Sequence, residues 1–262
     1  KVILLDMSIH LSYPFSVFRG CLLALFLLTG ALATAQRSVI VDADTGNEVD
    51  DPFALARILM DPAVTVSALN AAHWQTSHWT EPRSMENSHR LNQQLLGEMG
   101  LSVPTLRGGA ARMYDWGDRA RHSAAAYEII RQARLKDSVE VLVLGALTNV
   151  ASAVFIAPEI AGKLRIYWLG TTMDFDTGVL KRNDFNALMD PFALDLLLES
   201  EAEMHIMPIN TAVAMEVAFE SLQAEIGSHP LGAYLMRRWT DHLDGSRSSR
   251  TLWDLALVTA YL

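Results

Sequence analysis

The chain has a single cysteine, Cys21, among 262 residues, and Cys21 falls in a segment that reads as removed on processing. The mature chain therefore has no disulfide, no thiolate nucleophile and no cysteine-ligated metal. Basic residues are also short, 21 Lys and Arg against 30 Asp and Glu, for a net charge of −9. That balance argues against nucleic acid or an anionic membrane as the main partner, since neither polyanion is attracted to such a surface; ordinary solubility accounts for most of the charge. No Gly/Ser/Pro-rich linker divides the chain. Long apolar runs are lacking too: Cys21 to Leu28 is well short of the roughly 20 residues that a membrane span needs. What remains is a half-hydrophobic chain long enough for one large core, and α/β chains of this size commonly form one domain.

The N-terminus reads as a processing segment. Arg19 precedes the apolar run, and Ala33-x-Ala35 is a small-residue cleavage pattern. A cut is expected after Ala35, with residues 1–35 as signal peptide and upstream residues, Met7 as the start, and 36–262 as the mature domain. The alternative is a buried core segment or a membrane anchor. No cysteine follows the run, so no lipid anchor is indicated. Export without disulfides suits a bacterial periplasm or secretion, with no stable membrane anchor after processing.

The stretch that organises the chain is Val39-Ile40-Val41-Asp42-Ala43-Asp44-Thr45-Gly46-Asn47-Glu48-Val49-Asp50-Asp51. A β-branched run reads as a buried strand, and five carboxylates follow within ten residues. Asp51-Pro52 then opens an apolar helix from Phe53 to Met60, with Asp51 as N-cap and proline at the first helical position. The acids therefore sit between a strand's carboxyl end and a helix, where open α/β sheets place ligands. Carboxylates this crowded repel one another, and an oxygen-liganded cation, calcium before magnesium, would hold them. A solvated acidic loop is the bland alternative. An EF-hand loop fails: counted from Asp42, its glycine and glutamate positions hold Asn47 and Phe53.

From Gln36 onward, strands alternate with helices. Strands are expected over 38–42, 64–72, 103–106, 139–147, 164–169 and 203–209. Helices are expected over 51–60, 81–99, 123–135, 148–156, 191–198 and 231–243. Continuous apolar strands between helices predict a single α/β domain with a mainly parallel central sheet covered on both faces. The pentapeptide Asp-Pro-Phe-Ala-Leu occurs twice, at Asp51 and Asp190; as a good helix start it needs no duplication to explain it.

Asp42-x-Asp44 followed by Gly46-Asn47-Glu48-x-Asp50-Asp51 resembles the inosine-uridine nucleoside hydrolase family, in a subgroup with a longer spacer. Three later segments carry the same resemblance: Gly145-Ala146-Leu147-Thr148-Asn149, Asn183-Asp184-Phe185-Asn186 before Asp190-Pro191, and Trp253-Asp254. Read by themselves, Thr148 or Asn149 caps a helix, Asp184 and Asn186 form Asx turns, and Asp254 caps another helix. The four motifs keep their order and span nearly the whole mature chain.

The resemblance implies calcium held by Asp44, Asp51, Asp254 and the backbone carbonyl of Leu144, with Asp44 as general base. It implies a ribonucleoside substrate whose ribose meets Asp50, Asp184 and Asn186, and a homo-oligomeric assembly. Asp42 supports the loop; Asn47 and Glu48 have no assigned role. Trp253 stands where many family members have a histidine that protonates the leaving base, and it reads as a core aromatic or a stacking surface for the base. His73 could line the pocket, with a lone core or exposed histidine as the alternative. An exported calcium-dependent binder of ribosyl compounds is the competing function. A phosphatase built on Asp42-x-Asp44 ranks last, because Gly46 stands where it needs threonine. Family chains also continue past the helix that carries Asp254, so further chain beyond Leu262 is expected.

Overall fold

Arg37 to Ala43 forms the first strand (β1), and its side chains alternate as strand geometry requires. Val39, Val41 and Ala43 enter one core while Ile40 enters the other. The structure, a computed structural model, describes residues 36–262; the segment read as a signal peptide lies outside them. Arg37–Leu262 makes one compact unit.

In chain order the elements are β1, α1 (Asp50–Leu59), β2 (Val64–Ala71), α2 (Ser84–Met99), β3 (Thr105–Arg107), α3 (Ala124–Leu135), β4 (Val139–Val143), α4 (Thr148–Ile156) and β5 (Leu164–Leu169). Next come β6 (Thr172–Asp174), β7 (Val179–Lys181), α5 (Phe185–Met189), α6 (Pro191–Leu198), β8 (Glu203–Met207) and α7 (Ile209–Ala212). The last are β9 (Glu216–Ala218), α8 (Phe219–Ile226), α9 (Pro230–Asp241), β10 (Ser249–Thr251) and α10 (Trp253–Tyr261). Among the described residues, no helix is long and apolar enough to cross a membrane.

The central sheet has six strands in the order β3-β2-β1-β4-β5-β8, and every neighbouring pair is parallel. One core packs α1 and α10 against one face, where Leu55, Leu142 and Val258 meet. The other packs α3, α4 and α6 against the opposite face, through Ile129, Val141 and Leu194. Strand order reverses between β1 and β4, so crossovers leave to opposite sides there and open a crevice at the carboxyl ends.

Several expected boundaries move, each for a local reason. The fourth strand ends at Val143, not Leu147, because Leu144 to Leu147 turn into α4. β3 begins only at Thr105: Pro104 has no N–H to give, and its carbonyl accepts from Leu69 at 2.8 Å. β8 stops before Pro208, and Ile209 opens a helical turn. Residues 81–83 do not join α2. The hairpin β6–β7, the ribbon β9–β10 and the helices α5, α7 and α8 add to the expected elements. Most are too short to show a period.

The caps differ more instructively. α1 starts at Asp50, and its N-cap is Val49 with no side-chain bond, so Asp51 is inside the first turn rather than capping it. The second copy of the pentapeptide behaves as expected: Asp190 caps α6, accepting from the Ala193 N–H at 3.0 Å. α4 and α10 likewise begin after Leu147 and Leu252 without side-chain caps. Thr148, Asn149 and Asp254 are thereby free for other partners.

Candidate active site

A cavity of about 260 Å³ opens at the switch point, walled by the loop after β1, the turn after β4, the start of α5 and the start of α10. Asp44, Asp50, Asp51, Leu144, Asp184, Asn186, Trp253 and Asp254 all line it. Four sequence segments therefore meet there.

At its floor, one oxygen each of Asp50, Asp51 and Asp254 lie within 4.8 Å of one another. The backbone N–H of Asp254 donates to Asp50 Oδ2 at 3.0 Å, tying α10 to α1. Asp44 leans on Gly145: a Cβ there would stand 2.7 Å from Asp44 Oδ1, so only glycine leaves room for the carboxylate. Asp44 Oδ2 and Asp51 Oδ1 are buried without a hydrogen-bond partner. Burial, then the neighbouring Asp50, pushes the Asp44 carboxyl well above the usual range. Burial and Asp44 do the same to Asp51, and burial and Asp50 to Asp254.

Orphaned carboxylate oxygens on an all-oxygen donor set are what a hard cation satisfies. The residues fit a divalent ion of the calcium class. Asp50 belongs to this cluster as well as to the cavity wall, which the sequence did not indicate.

Behind the floor, Asp42 is fully buried and takes two bonds from Asn149 Nδ2, at 2.9 and 3.2 Å, and one from Asn70 Nδ2 at 3.4 Å. Burial raises its carboxyl to about 6 against those bonds. It does not line the cavity, in keeping with a supporting role. Asn149 also accepts from the Gly109 N–H at 2.8 Å, so it braces the loop rather than capping α4.

Asp184 caps α5, accepting from Asn186 N at 3.0 Å and Ala187 N at 3.2 Å, and takes the Thr171 N–H at 2.6 Å. Thr171 is held at φ 69°, a left-handed conformation that costs a β-branched residue energy. Such strain beside the cavity persists because Asp184 anchors it. Asn186 donates to the carbonyls of Leu144 at 2.7 Å and Leu169 at 3.0 Å. The Leu144 oxygen keeps a second lone pair.

His73 is a correction. It is completely buried and absent from the cavity wall. The Gln75 N–H donates to its Nδ1 at 3.2 Å, so Nε2 carries the proton to Thr148 Oγ1 at 2.9 Å, and Thr148 donates on to Asp190. Burial, then Arg121, lowers its pKa to about 4. The chain turns inward after β2 and places it under the start of α4.

Asn47, Glu48, Phe185 and Ile209 also line the cavity. Phe185 stood inside a recognised motif and could have been named; Ile209 lies in Pro208-Ile209-Asn210-Thr211, a segment that weakly resembles a family strand end and has no assigned role. Glu48 is raised to about 7 by burial, then by Asp50, with Arg250 opposing.

Fold and site together define a parallel α/β protein with a carboxylate-lined, cation-type pocket at its switch point. The chain belongs to the inosine-uridine preferring nucleoside hydrolase family, whose model matches residues 39–260. The "Probable uridine nucleosidase 1" of Oryza sativa subsp. japonica is 24% identical over 202 residues, covering 69% of this chain and 60% of that one. "Probable uridine nucleosidase 2" of the same plant is 25% identical over 195 residues, covering 67% and 57%. This chain thus spans about 60% of the length of the curated relatives it matches. Among solved structures, an inosine-guanosine nucleoside hydrolase superposes with a TM-score of 0.67 at 18% identity, over 87% of this chain and 79% of the other. At that identity the likeness is one of fold.

Proposed function

We propose that this protein hydrolyses the N-glycosidic bond of ribonucleosides, releasing base and ribose, with a calcium ion held by Asp44, Asp51, Asp254 and the Leu144 carbonyl. The observation that carries the reading is the pair of partnerless buried oxygens on Asp44 and Asp51 within the cavity's acidic floor. Bound there, calcium supplies a fixed positive charge that orients oxygen ligands and makes a water more acidic. Asp44 takes the proton from the attacking water as general base. Asp50 and Asp184 accept hydrogen bonds from ribose hydroxyls, and Asn186 Oδ1, without another partner among the described residues, accepts another. Their negative charge faces the oxocarbenium-like sugar that glycosidic cleavage develops. Trp253 offers a face for the base but no acid. Asp254 and Asp50 hold each other in place.

A second reading has its own observation. Trp253 stands where many family members have a protonating histidine, so the site could bind ribosyl compounds without turning them over. A fold neighbour of TM-score 0.60 and 15% identity, a type III effector protein XopQ, was solved in complex with adenosine diphosphate ribose; the match covers 76% of this chain and 64% of that one. The leader reading of residues 1–35 puts either activity in the periplasm or outside the cell, and the assembly is proposed to be a homo-oligomer.

The test is reducing-sugar release from a panel of ribonucleosides with added calcium, beside an Asp44→Asn control. Release that disappears in the control and with chelator supports the hydrolase. Calcium-dependent binding of ribosides without release favours the binder. Neither release nor a calcium effect on melting temperature defeats both.

A further inference from the structure

The spacer residue Asn47 is held by three hydrogen bonds, one within its own turn and two to other parts of the fold. Trp79 Nε1 donates to its Oδ1 at 3.0 Å, its own N–H donates to the Asp44 carbonyl at 2.7 Å, and its carbonyl lies 3.1 Å from His242 Nε2. The indole N–H of Trp79 can only donate, which fixes the amide's orientation: oxygen toward Trp79, nitrogen away from it. Trp79 is itself seated on Phe185, with ring centroids 5.4 Å apart and planes 16° from parallel. Asn47 and Phe185 both line the cavity, whereas Trp79 does not. One tryptophan therefore braces two walls from behind. Asn47 Nδ2 has no partner among the described residues, and it is not among the atoms buried without one. Its N–H groups are accordingly open to solvent, on a residue that lines the cavity.

The rest of the lining gives that amide its meaning. Six carboxylates surround it, and all of them accept when ionised. Asn186 has committed its amide hydrogens to the Leu144 and Leu169 carbonyls. Asn47 is thus the lining amide with hydrogens to give. On a nucleoside, the ribose hydroxyls are served by carboxylates, to which they donate. The atoms that require a donor are the ring nitrogens and carbonyls of the base.

Resting on the proposed nucleoside site, we infer that Asn47 is a specificity-determining residue. It donates to the acceptor beside the glycosidic nitrogen of the leaving base, purine N3 or pyrimidine O2, with Trp79 as the positioning residue that locks the amide. A hydrogen bond at that atom stabilises the electron pair the base takes with it when the bond to ribose breaks. It gives a site with tryptophan at position 253 a neutral means of leaving-group help.

The experiment measures binding of two C-nucleosides to the calcium-loaded protein by calorimetry: 9-deazainosine and 3,9-dideazainosine. Both carry a carbon–carbon bond to ribose, so turnover does not intrude, and they differ in N3. The unmodified protein is expected to prefer the N3-bearing analogue by about tenfold, the scale of one neutral hydrogen bond. Asn47→Ala should erase that preference. Trp79→Phe, which keeps the stack on Phe185 but frees the amide to turn, should reduce it to about threefold. Calcium must still raise the melting temperature of each variant, which shows that the site has folded. Equal weakening of both analogues in Asn47→Ala, or an unchanged preference, overturns the inference and leaves the hydrolase reading standing. Binding of neither analogue to the unmodified protein removes the nucleoside reading and this inference with it.

Discussion

Asn186 and Leu144 are joined by a 2.7 Å hydrogen bond from the side-chain amide to the backbone carbonyl. One residue was expected at the sugar and the other at the cation, so the bond couples the two halves of the site. Orienting partners of this kind typically change metal affinity by about 10–100-fold. Asn186→Ala is therefore expected to weaken calcium binding by about tenfold or more as well as raise KM for nucleoside. Isothermal calorimetry with calcium alone separates the two effects. Unchanged calcium affinity would mean that the Leu144 carbonyl is not a ligand.

The acidic floor sets a pH dependence whose sign is fixed. Asp44, Asp51 and Asp254 hold protons above their usual 3.8 in the metal-free fold. The folded state then binds more protons than the unfolded one above pH 3.8, and stability falls as pH rises through the raised values. Calcium must displace those protons, so its affinity should climb with pH. The melting-temperature gain from calcium is expected to be larger at pH 8 than at pH 5, with proton release visible as a buffer-dependent binding enthalpy. A gain independent of pH would show that the bound ion does not use these carboxylates.

Gly145 supplies a third prediction. A methyl group there would meet Asp44 Oδ1 at 2.7 Å and push the proposed base out of line. Misplacement by about 1 Å commonly costs about a hundredfold in rate. Gly145→Ala should lose at least that much in kcat, and circular dichroism checks that the chain stays folded, since the Gly145 carbonyl also accepts from the buried Trp168 indole at 3.0 Å. Near-normal kcat would argue against Asp44 as the base.

Much of the site was legible in the sequence because it is built at strand ends. β1 and β4 read as apolar runs, and the residues after each run had to lie at the sheet's carboxyl edge. The pentapeptide shows where legibility stopped. Asp51 and Asp190 begin the same five residues, yet Asp190 caps its helix while Asp51 sits in the first turn with Oδ1 bare. The difference lies in Val49 and Asp50, which extend α1 backward toward α10, a tertiary effect that no local pattern contains. His73 misled for a similar reason. Its position after β2 pointed to the mouth of the sheet, but only the packed structure shows Thr148 waiting for it inside. Asn47 had no reading until Trp79, 32 residues away, fixed which end of its amide was free.

The bond from the Asp254 N–H to Asp50 Oδ2 closes a loop of 204 residues. Contacts of that separation form late, because the entropy of closing the loop is lost before anything is gained from the contact. The cation pocket is consequently finished only when α10 docks on α1, near the end of folding. Calcium should therefore leave the refolding rate almost unchanged and act on the other limb, slowing the escape from the native state.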